Sequence, residues 1–350
     1  MSESIKTGII GYGLSGKVFH APFIHQHQGF ELCKIVERNS MNSKSDYHYI
    51  EVVRDYKELL NDSSIELVVV ATPNIYHFQM VKDALMAGKH VVVEKPFMTT
   101  SAEADEIIKL ADAKRRYLFV YQNRRWDGDF LTIKKIVKHK LLGDIRHFEA
   151  HFDRYSPERT RAAWRDEAIP GSGNLYDLGS HLIDQALVLF GKPHSLRADM
   201  QAQRKNSPVD DYFEVSMNYP GLQVILTAGM LVLENDLRYV MQGSGGTFTK
   251  YGIDPQEEQL KSGKMPKGDD WGKEDPGKWG NIAFHHADLN FEGQVETEAG
   301  NYIAFYENVF NVIRKGEDSI IQVIEGRNVI KIIELAFESH RQKKEIQVKF

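Results

Sequence analysis

IKTGIIGYGLSG, residues 5–16, is an apolar strand that runs directly into three glycines. The glycines have GxGxxG spacing, which allows a tight turn, close approach of a pyrophosphate to the backbone, and packing of the next helix. That helix is predicted over residues 17–27. Strand, turn and helix in this order predict a dinucleotide-binding domain. Its expected cofactor contacts in the turn are Gly11, Gly13, Leu14, Ser15 and Gly16.

The chain continues with alternating strands and helices up to about residue 123. The pattern predicts strands at residues 31–36, 66–71, 90–94 and 117–121, and helices at residues 76–87 and 101–114. Thr100 and Glu103 form a capping box for the second helix, and Gly88 ends the first. Short loops between such elements are typical of a doubly wound parallel sheet. Residues 1–123 are therefore predicted to form a Rossmann domain.

Polar side chains follow these strands at the sheet edge where ligands bind in open α/β folds. Glu37 would accept ribose hydroxyls, and Arg38 would pair with a 2′-phosphate. The choice between NAD and NADP stays open, although Glu37 slightly favours NAD. Lys95 follows the valine strand in HVVVEKP, and we expect it to lie in the crevice that holds the cofactor, with a cis peptide bond to Pro96. The alternative is that Glu94 and Lys95 only mark the point where the strand leaves the core. The further cofactor candidates are Thr72, Pro73, Asn74, His77 and Glu94.

Composition limits the classes of function. A chain of 350 residues favours two domains, and a formal charge of -5 with a pI near 6.3 argues against nucleic-acid or membrane surfaces. The expected ligand is therefore a small molecule. One cysteine excludes an intramolecular disulfide and fits a reducing compartment, and the N-terminus lacks the pattern of a signal peptide, so we expect a cytoplasmic protein.

Residues 124–350 are predicted to form a second, α+β domain for substrate binding and oligomerisation. Residues 213–219, 223–228 and 237–242 alternate with a period near two, which indicates a large open mixed or antiparallel sheet. Helices are expected at residues 129–140, 301–315 and 325–342. The free face of such a sheet suggests a homodimer or homotetramer. Residues 253–281 are interpreted as a solvated surface loop, with a lid as the alternative.

Asp177 and His181 lie four residues apart on an apolar helix predicted over residues 175–190. The helix would place both on one face, with Asp184 and Gln185 a turn further. His181 would act as a general base oriented by Asp177; the alternative is a surface stripe. The sequence HHAD at residues 285–288 resembles a metal site only superficially, so no metal is expected. Possible substrate contacts are Arg124, Arg125, Trp126, Tyr155, Arg165 and Tyr176.

The segments GYGLSG, TPNIYH, AGKHVVVEKP and YDLGSHLID together resemble the glucose-fructose oxidoreductase, inositol dehydrogenase and MocA (Gfo/Idh/MocA) family over nearly the whole chain. GLSGKVFHAPF, NRRWDGDFLTIKK and KYGIDPQEEQL resemble its branch of NADP-dependent scyllo-inositol dehydrogenases. The resemblance implies Lys95, Asp177 and His181 as the catalytic set. The pair Glu37-Arg38 departs from the serine and arginine of an NADP user, which leaves the cofactor open.

These observations predict an NAD(P)-dependent dehydrogenase that transfers a hydride between nicotinamide and a secondary alcohol of a cyclic polyol or sugar, such as an inositol. Two alternatives remain. One is a glycoside hydrolase that oxidises its substrate transiently with bound NAD, and the other is a non-catalytic NAD(P)-binding regulator.

Overall fold

The computed structural model describes residues 4–158, 166–234 and 236–350, which form two compact units. The first unit holds the described residues up to Asn123, together with Gln256–Trp271 and Tyr302–Arg327. The second holds those of Arg124–Pro255, Gly272–Asn301 and Asn328–Phe350. The predicted division at residue 123 treats both domains as continuous, whereas the first unit also takes two segments from the later part of the chain.

The first unit contains a six-stranded parallel sheet. Its strands are β1 (Ile5–Ile10), β2 (Phe30–Val36), β3 (Glu51–Val53), β4 (Leu67–Val70), β5 (His90–Glu94) and β6 (Leu118–Tyr121). The spatial order is β3-β2-β1-β4-β5-β6, and every neighbouring pair is parallel. This order is that of the dinucleotide-binding fold, so the predicted doubly wound sheet is confirmed. The sequence pattern did not indicate β3, which is too short for an alternation to show.

Helices connect the strands. They are α1 (Ala21–Gln26), α2 (Asn42–Asp46), α3 (Tyr56–Leu60), α4 (His77–Met86) and α5 (Ser101–Lys114). The capping box of Thr100 and Glu103 is present, and Gly88 has a φ of +74° just after α4, as predicted. The helix predicted over residues 17–27 is present, but it is not α-helical throughout: a π-helical turn, Ser15–His20, directly precedes α1. Pro22 has no N–H for a continuous helix but fits the first turn of a new one.

The second unit is built on a nine-stranded sheet. Its strands are β7 (Ile145–His151), β8 (Ser195–Gln201), β9 (Tyr212–Tyr219), β10 (Leu222–Gly229), β11 (Leu237–Gly243), β12 (Gly246–Tyr251), β13 (Gly280–His286), β14 (Leu289–Val295) and β15 (Ile346–Gln347). The order is β14-β13-β12-β11-β7-β10-β9-β8-β15, and of these neighbours only β7 and β10 run parallel. The prediction of a large mixed sheet is confirmed.

The remaining helices are α6 (Gly128–Lys138), α7 (Ser180–Phe190), α8 (Gln256–Lys261), α9 (Ile303–Lys315) and α10 (Val323–Gln342). α7 covers one face of the nine-stranded sheet, where the Phe148 and Phe190 rings lie 5.3 Å apart. The alternate residues of β7, His147, Glu149 and His151, are only partly buried on the other face. Within the described part of the chain, no helix is both long and apolar enough to cross a membrane.

Residues 253–281 are in part the solvated loop that their composition indicates, since most of residues 261–279 are exposed, but the segment also makes buried contacts. They contain α8, in which Gln256 and Leu260 are buried, and the Gln256 side-chain oxygen accepts a bond of 2.8 Å from the Tyr302 N–H. Farther along, Lys250 and Glu274 form a buried ion pair of 2.7 Å. The sequence did not indicate these buried contacts, because they lie between Gly- and Lys-rich stretches that dominate the composition of the segment. The alternative interpretation, a lid, stays a prediction.

Candidate active site

The glycine turn follows β1. Gly11 has a φ of +99°, and a Cβ there would lie 2.7 Å from the Ala71 carbonyl oxygen. A Cβ at Gly16 would lie 2.1 Å from the Gly11 oxygen. Only glycine fits at either position. A Cβ at Gly13 would meet no atom within 4 Å, and Leu14 is exposed. The turn therefore presents open backbone at its middle, which fits a pyrophosphate.

Glu94 links the glycine turn to the end of β5. Its Oε1 accepts a hydrogen bond from Ser15 Oγ and lies 3.0 Å from His20 Nε2, and its Oε2 accepts one of 2.9 Å from the Lys95 N–H. His20 Nδ1 in turn lies 2.6 Å from the Tyr306 hydroxyl. Burial alone would raise the pKa of Glu94, but the bonds from His20 and Ser15 lower it overall, so the carboxylate stays charged. Glu94 therefore holds Ser15 and the backbone of Lys95 at one edge of the sheet.

Lys95 follows Glu94 directly, its side chain is only partly buried, and its peptide bond to Pro96 is cis, as predicted. His77 supports the same edge. Its Nε2 lies 2.9 Å from the Thr72 carbonyl oxygen and its Nδ1 3.1 Å from that of Pro96. Burial lowers the pKa of His77, and a neutral ring can donate to only one of these two carbonyl oxygens, at the end of either β4 or β5. His77, a predicted cofactor contact, thus positions the loops around Thr72, Pro73 and Asn74.

Glu37 does not present its carboxylate at the end of β2. It is buried and accepts hydrogen bonds from the N–H groups of Asn42 and Ser43, at 3.0 and 2.8 Å, and from the hydroxyls of Ser40 and Ser43. Burial would raise its pKa, but the bonds from the hydroxyls of Ser40 and Ser43 and from the N–H groups of Ser43 and Asn42 together lower it. Arg38, the next residue, is exposed. The expected ribose acceptor is therefore engaged by its own loop.

Asp177 and His181 lie in the second unit, on the helix that the sequence predicts over residues 175–190. The first part of that helix, Leu175–Gly179, is a π-helical turn that holds Asp177, and His181 lies in the first turn of α7. π-helical turns are rare and often occur at functional sites. Asp177 is partly exposed, whereas His181 is buried next to Phe152, with ring centroids 6.4 Å apart.

Asp184 and Gln185, the other half of the polar stripe predicted on this helix, anchor the segment that follows β6. Asp184 accepts two hydrogen bonds from Arg125, of 2.7 and 2.6 Å, and both side chains are buried. The Gln185 amide donates to the Arg124 carbonyl oxygen at 3.0 Å and accepts from the Tyr239 hydroxyl at 2.8 Å. The spacing of residues in the sequence does not reveal these contacts, because the two residues of each hydrogen-bonded pair are 54 to 61 positions apart. They fix the orientation of α7.

The predicted substrate contacts have different environments. Arg124 is buried, pairs with Asp127 at 3.2 Å and lies over the Phe152 ring. Trp126 is buried, and Tyr176 is partly buried against Phe337. Tyr155 is exposed. Arg165 lies outside the described residues. Of the five candidates that the structure describes, Arg124, Arg125 and Trp126 are buried and Tyr176 is partly buried, which leaves Tyr155 as the exposed one.

His285 and His286 lie on the exposed hairpin of β13 and β14, where His285 Nδ1 is 3.0 Å from Asn290 Oδ1. Among the residues that the structure describes, no group of three His, Cys, Asp or Glu side chains is arranged to hold a metal ion.

Asp210 holds the start of the helix that carries Asp177. Its Oδ2 accepts a 2.8 Å bond from the Leu175 N–H, and the carboxyl leaves no room for a Cβ at Gly173, which has a φ of +90°. Burial raises the pKa of Asp210 from 3.8 to about 6. The sequence offered no signal for this group beyond its aspartate neighbour Asp211.

Replacing Asp210 with asparagine makes stability less sensitive to pH. A carboxyl with a raised pKa stabilises the folded state below its unfolded pKa and loses that contribution as pH rises through about 6. Part of this loss already occurs below pH 5, so we expect the difference in free energy of unfolding between Asp210→Asn and the wild type to shift by about 1 kcal/mol in favour of the variant from pH 5 to pH 7.5. Urea unfolding at both pH values measures the difference; equal differences at the two pH values contradict this role.

Comparisons with known proteins agree with this architecture. Residues 5–122 match the family model described as "Oxidoreductase family, NAD-binding Rossmann fold", and residues 134–349 match "Oxidoreductase family, C-terminal alpha/beta domain". The scyllo-inositol 2-dehydrogenase (NADP(+)) IolW of Bacillus subtilis (strain 168) is 41% identical over 346 residues, which cover 99% of this chain and 96% of that protein.

Two solved structures extend the comparison. The putative oxidoreductase yvaA from Bacillus subtilis superposes with a TM-score of 0.95 at 40% identity, over 100% of both chains. Levoglucosan dehydrogenase, in complex with NADH and levoglucosan, has a TM-score of 0.82 at 21% identity, over 99% of this chain and 100% of its own. The second likeness concerns the fold alone.

Proposed function

Because this chain belongs to the Gfo/Idh/MocA oxidoreductase family and binds a nicotinamide dinucleotide, we propose that it oxidises or reduces a secondary alcohol carbon of a cyclic polyol or sugar, with inositols as the first class to test. The similarity to a scyllo-inositol 2-dehydrogenase over nearly the whole chain supports this substrate class. In this proposal the first domain binds the dinucleotide and the second binds the substrate.

The observation that carries the proposal is the link from Ser15 through Glu94 to Lys95. Ser15 belongs to the glycine turn, and the Glu94 carboxylate bonds both to it and to the Lys95 N–H. The lysine is therefore held at the same sheet edge as the turn that fits a pyrophosphate. The presence of Lys95 together with Asp177 and His181 argues against a regulator without catalysis.

The bound nicotinamide supplies the acceptor or donor for hydride. Lys95 Nζ would hold the substrate oxygen and stabilise the negative charge that develops on it. An imidazole nitrogen of His181 would take the hydroxyl proton during oxidation and return it during reduction. Asp177 would orient the imidazole and accept a bond from a neighbouring substrate hydroxyl. Burial of His181 keeps bulk water from the proton transfer.

A panel of inositols and sugars with NAD and NADP tests the proposal. We expect absorbance of reduced nicotinamide to rise with at least one cyclic polyol, with no cleavage of glycosides. Release of sugar from a glycoside without net cofactor reduction would instead support the hydrolase alternative. Cofactor binding without turnover on any member of the panel would support the regulator.

We further propose that the chain is a homodimer or homotetramer that pairs through the nine-stranded sheet. α7 covers one face, while the side chains of His147, Glu149 and His151 on the other stay partly exposed. A sheet face of this size is a common subunit contact. Light scattering at micromolar concentration is expected to give a dimer or tetramer, and a monomer contradicts the proposal.

The cytoplasmic location stays a prediction based on the single cysteine, Cys33, which is free.

A further inference from the structure

The π-helical turn before α1 brings its first and last residues, Ser15 and His20, to the same carboxylate oxygen. In an α-helix, positions five apart lie about 140° from each other around the axis, because each residue turns by about 100°. In a π-helix the N–H of residue i+5 bonds to the carbonyl of residue i, as that of Ala21 does to Gly16, so residues five apart lie on one side. Ser15 and His20 both bond to Glu94 Oε1. The π-helical geometry therefore lets the glycine turn and His20 hold one carboxylate together.

His20 is itself held by a second buried side chain. A carboxylate can only accept, so in the neutral imidazole Nε2 carries the hydrogen that bonds to Glu94 Oε1 at 3.0 Å. The other ring nitrogen, Nδ1, then accepts from the Tyr306 hydroxyl, which lies 2.6 Å away. His20 and Tyr306 are both 0% exposed. Burying these polar groups is costly unless each has a partner, and here each partner fixes the direction of the next hydrogen bond.

The second oxygen of Glu94 connects this chain of hydrogen bonds to Lys95. Oε2 accepts a bond of 2.9 Å from the Lys95 N–H, while Oε1 is held by His20 and Ser15. The carboxylate is planar, so it cannot rotate without breaking bonds at both oxygens. The orientation of Glu94, and with it the position of the Lys95 backbone, therefore depends on His20.

We propose that His20 is a positioning residue for the hydride transfer, which fixes Lys95 through Glu94 and is itself fixed by Tyr306. His20 is fully buried, so it acts through the carboxylate and not by touching the substrate. Tyr306 lies on α9, which belongs to the first unit although it follows most of the second in sequence. The proposal rests on the role that the proposed function gives to Lys95.

Hydrogen exchange of the Lys95 N–H tests the proposal without any turnover. His20→Leu removes both ring nitrogens and keeps an apolar side chain in the core. We expect the Lys95 N–H of this full-length variant to exchange about 10- to 100-fold faster than in the wild type, the range for losing one hydrogen bond to a charged group. His20→Gln is expected to stay within about threefold of the wild type, because its side-chain amide can donate to Glu94 from the place of Nε2. NMR of lysine-labelled protein follows this N–H.

Turnover of the same variants tests the effect on the reaction. With the best substrate of the panel, we expect His20→Leu to lower kcat by about 10- to 100-fold, since a misplacement of about 1 Å can cost about a hundredfold. The Kd for the dinucleotide should stay within about threefold, and His20→Gln should restore most of the lost kcat, because the bond to Glu94 returns. Tyr306→Phe removes only the far hydroxyl and should lower kcat by about three- to tenfold, the range for one neutral hydrogen bond.

Tyr121→Phe is the matched control. The Tyr121 ring also packs on His20, with ring centroids 4.4 Å apart, but its hydroxyl donates to the Phe19 carbonyl oxygen at 2.8 Å and not to the imidazole. Its kcat and the exchange rate at Lys95 should both stay close to the wild-type values. Losses equal to those of Tyr306→Phe would assign the effect to ring packing and overturn the proposal.

Other results would also overturn it. If His20→Leu has a lower melting temperature but exchanges the Lys95 N–H at the wild-type rate, His20 is an ordinary core residue. If the Kd for the dinucleotide rises as much as kcat falls, His20 supports the glycine turn and not the lysine. If His20→Leu does not fold, the exchange rate of Tyr306→Phe decides, and an unchanged rate contradicts the proposal. If the wild type reduces no cofactor with any member of the panel, the proposed function fails, and the exchange rates still decide whether His20 fixes Lys95.

Discussion

His181→Gln lowers turnover by about a hundredfold or more, the usual contribution of one general acid or base. Glutamine has a similar length and keeps a hydrogen-bonding end, but it does not titrate near neutral pH as an imidazole does. Because His181 belongs to the second unit, the Kd for the dinucleotide should stay within threefold of the wild-type value. Steady-state kinetics with the best substrate of the panel, together with a calorimetric Kd, measures both quantities.

His139→Gln is the matched control, since His139 is exposed at the end of α6 and the account gives it no part in the reaction. Its turnover should equal that of the wild type. The melting temperature of His181→Gln must be recorded as well, because His181 is buried. A folded variant with wild-type turnover would remove His181 from the mechanism, and a variant with a normal kcat but a raised KM would make it a substrate contact.

Arg125→Ala lowers the free energy of unfolding by about 3–5 kcal/mol, the range for breaking a buried ion pair from one side. Arg125 and Asp184 are 7% and 3% exposed at their side chains and make two hydrogen bonds to each other. Removing the arginine leaves a buried carboxylate on α7 without this partner. Urea unfolding monitored by circular dichroism measures the loss.

Two variants test whether the uncompensated charge causes that loss. The double variant Arg125→Met with Asp184→Leu should be more stable than Arg125→Ala, because it removes both charges and fills the space with apolar atoms. Lys82→Ala breaks an exposed pair with Glu106, 40% and 54% exposed, and should cost less than about 1 kcal/mol. A loss below 1 kcal/mol for Arg125→Ala would show that the pair does not anchor α7.

The parts of the fold that sequence predicted are those set by local rules. Consecutive valines after His90, the glycine spacing from Gly11 to Gly16, and the Thr100 capping box each depend on residues within one turn or strand. The structure confirms all three. The type of sheet in the second unit could be predicted from sequence, because buried and more exposed residues alternate along β9, β10 and β11.

The parts that sequence missed depend on distant partners or on side-chain direction. Nothing near Asp184 indicates Arg125, 59 residues away. The inward turn of Glu37 depends on two serines, Ser40 and Ser43, whose hydroxyls could equally have faced water. The hairpin of β13 and β14 was missed because polar and glycine residues break the alternation in both strands.

Deuterium transfer tests the central claim most directly. The polyol that reacts fastest in the panel is prepared with deuterium on its secondary alcohol carbons and incubated with the wild-type chain and oxidised cofactor. Mass spectrometry of the reduced cofactor then shows whether the hydrogen came from the substrate carbon. We expect one deuterium per reduced cofactor, formed at a rate that His181→Gln lowers by about a hundredfold. Reduced cofactor without deuterium, or product formed without reduced cofactor, would contradict direct hydride transfer.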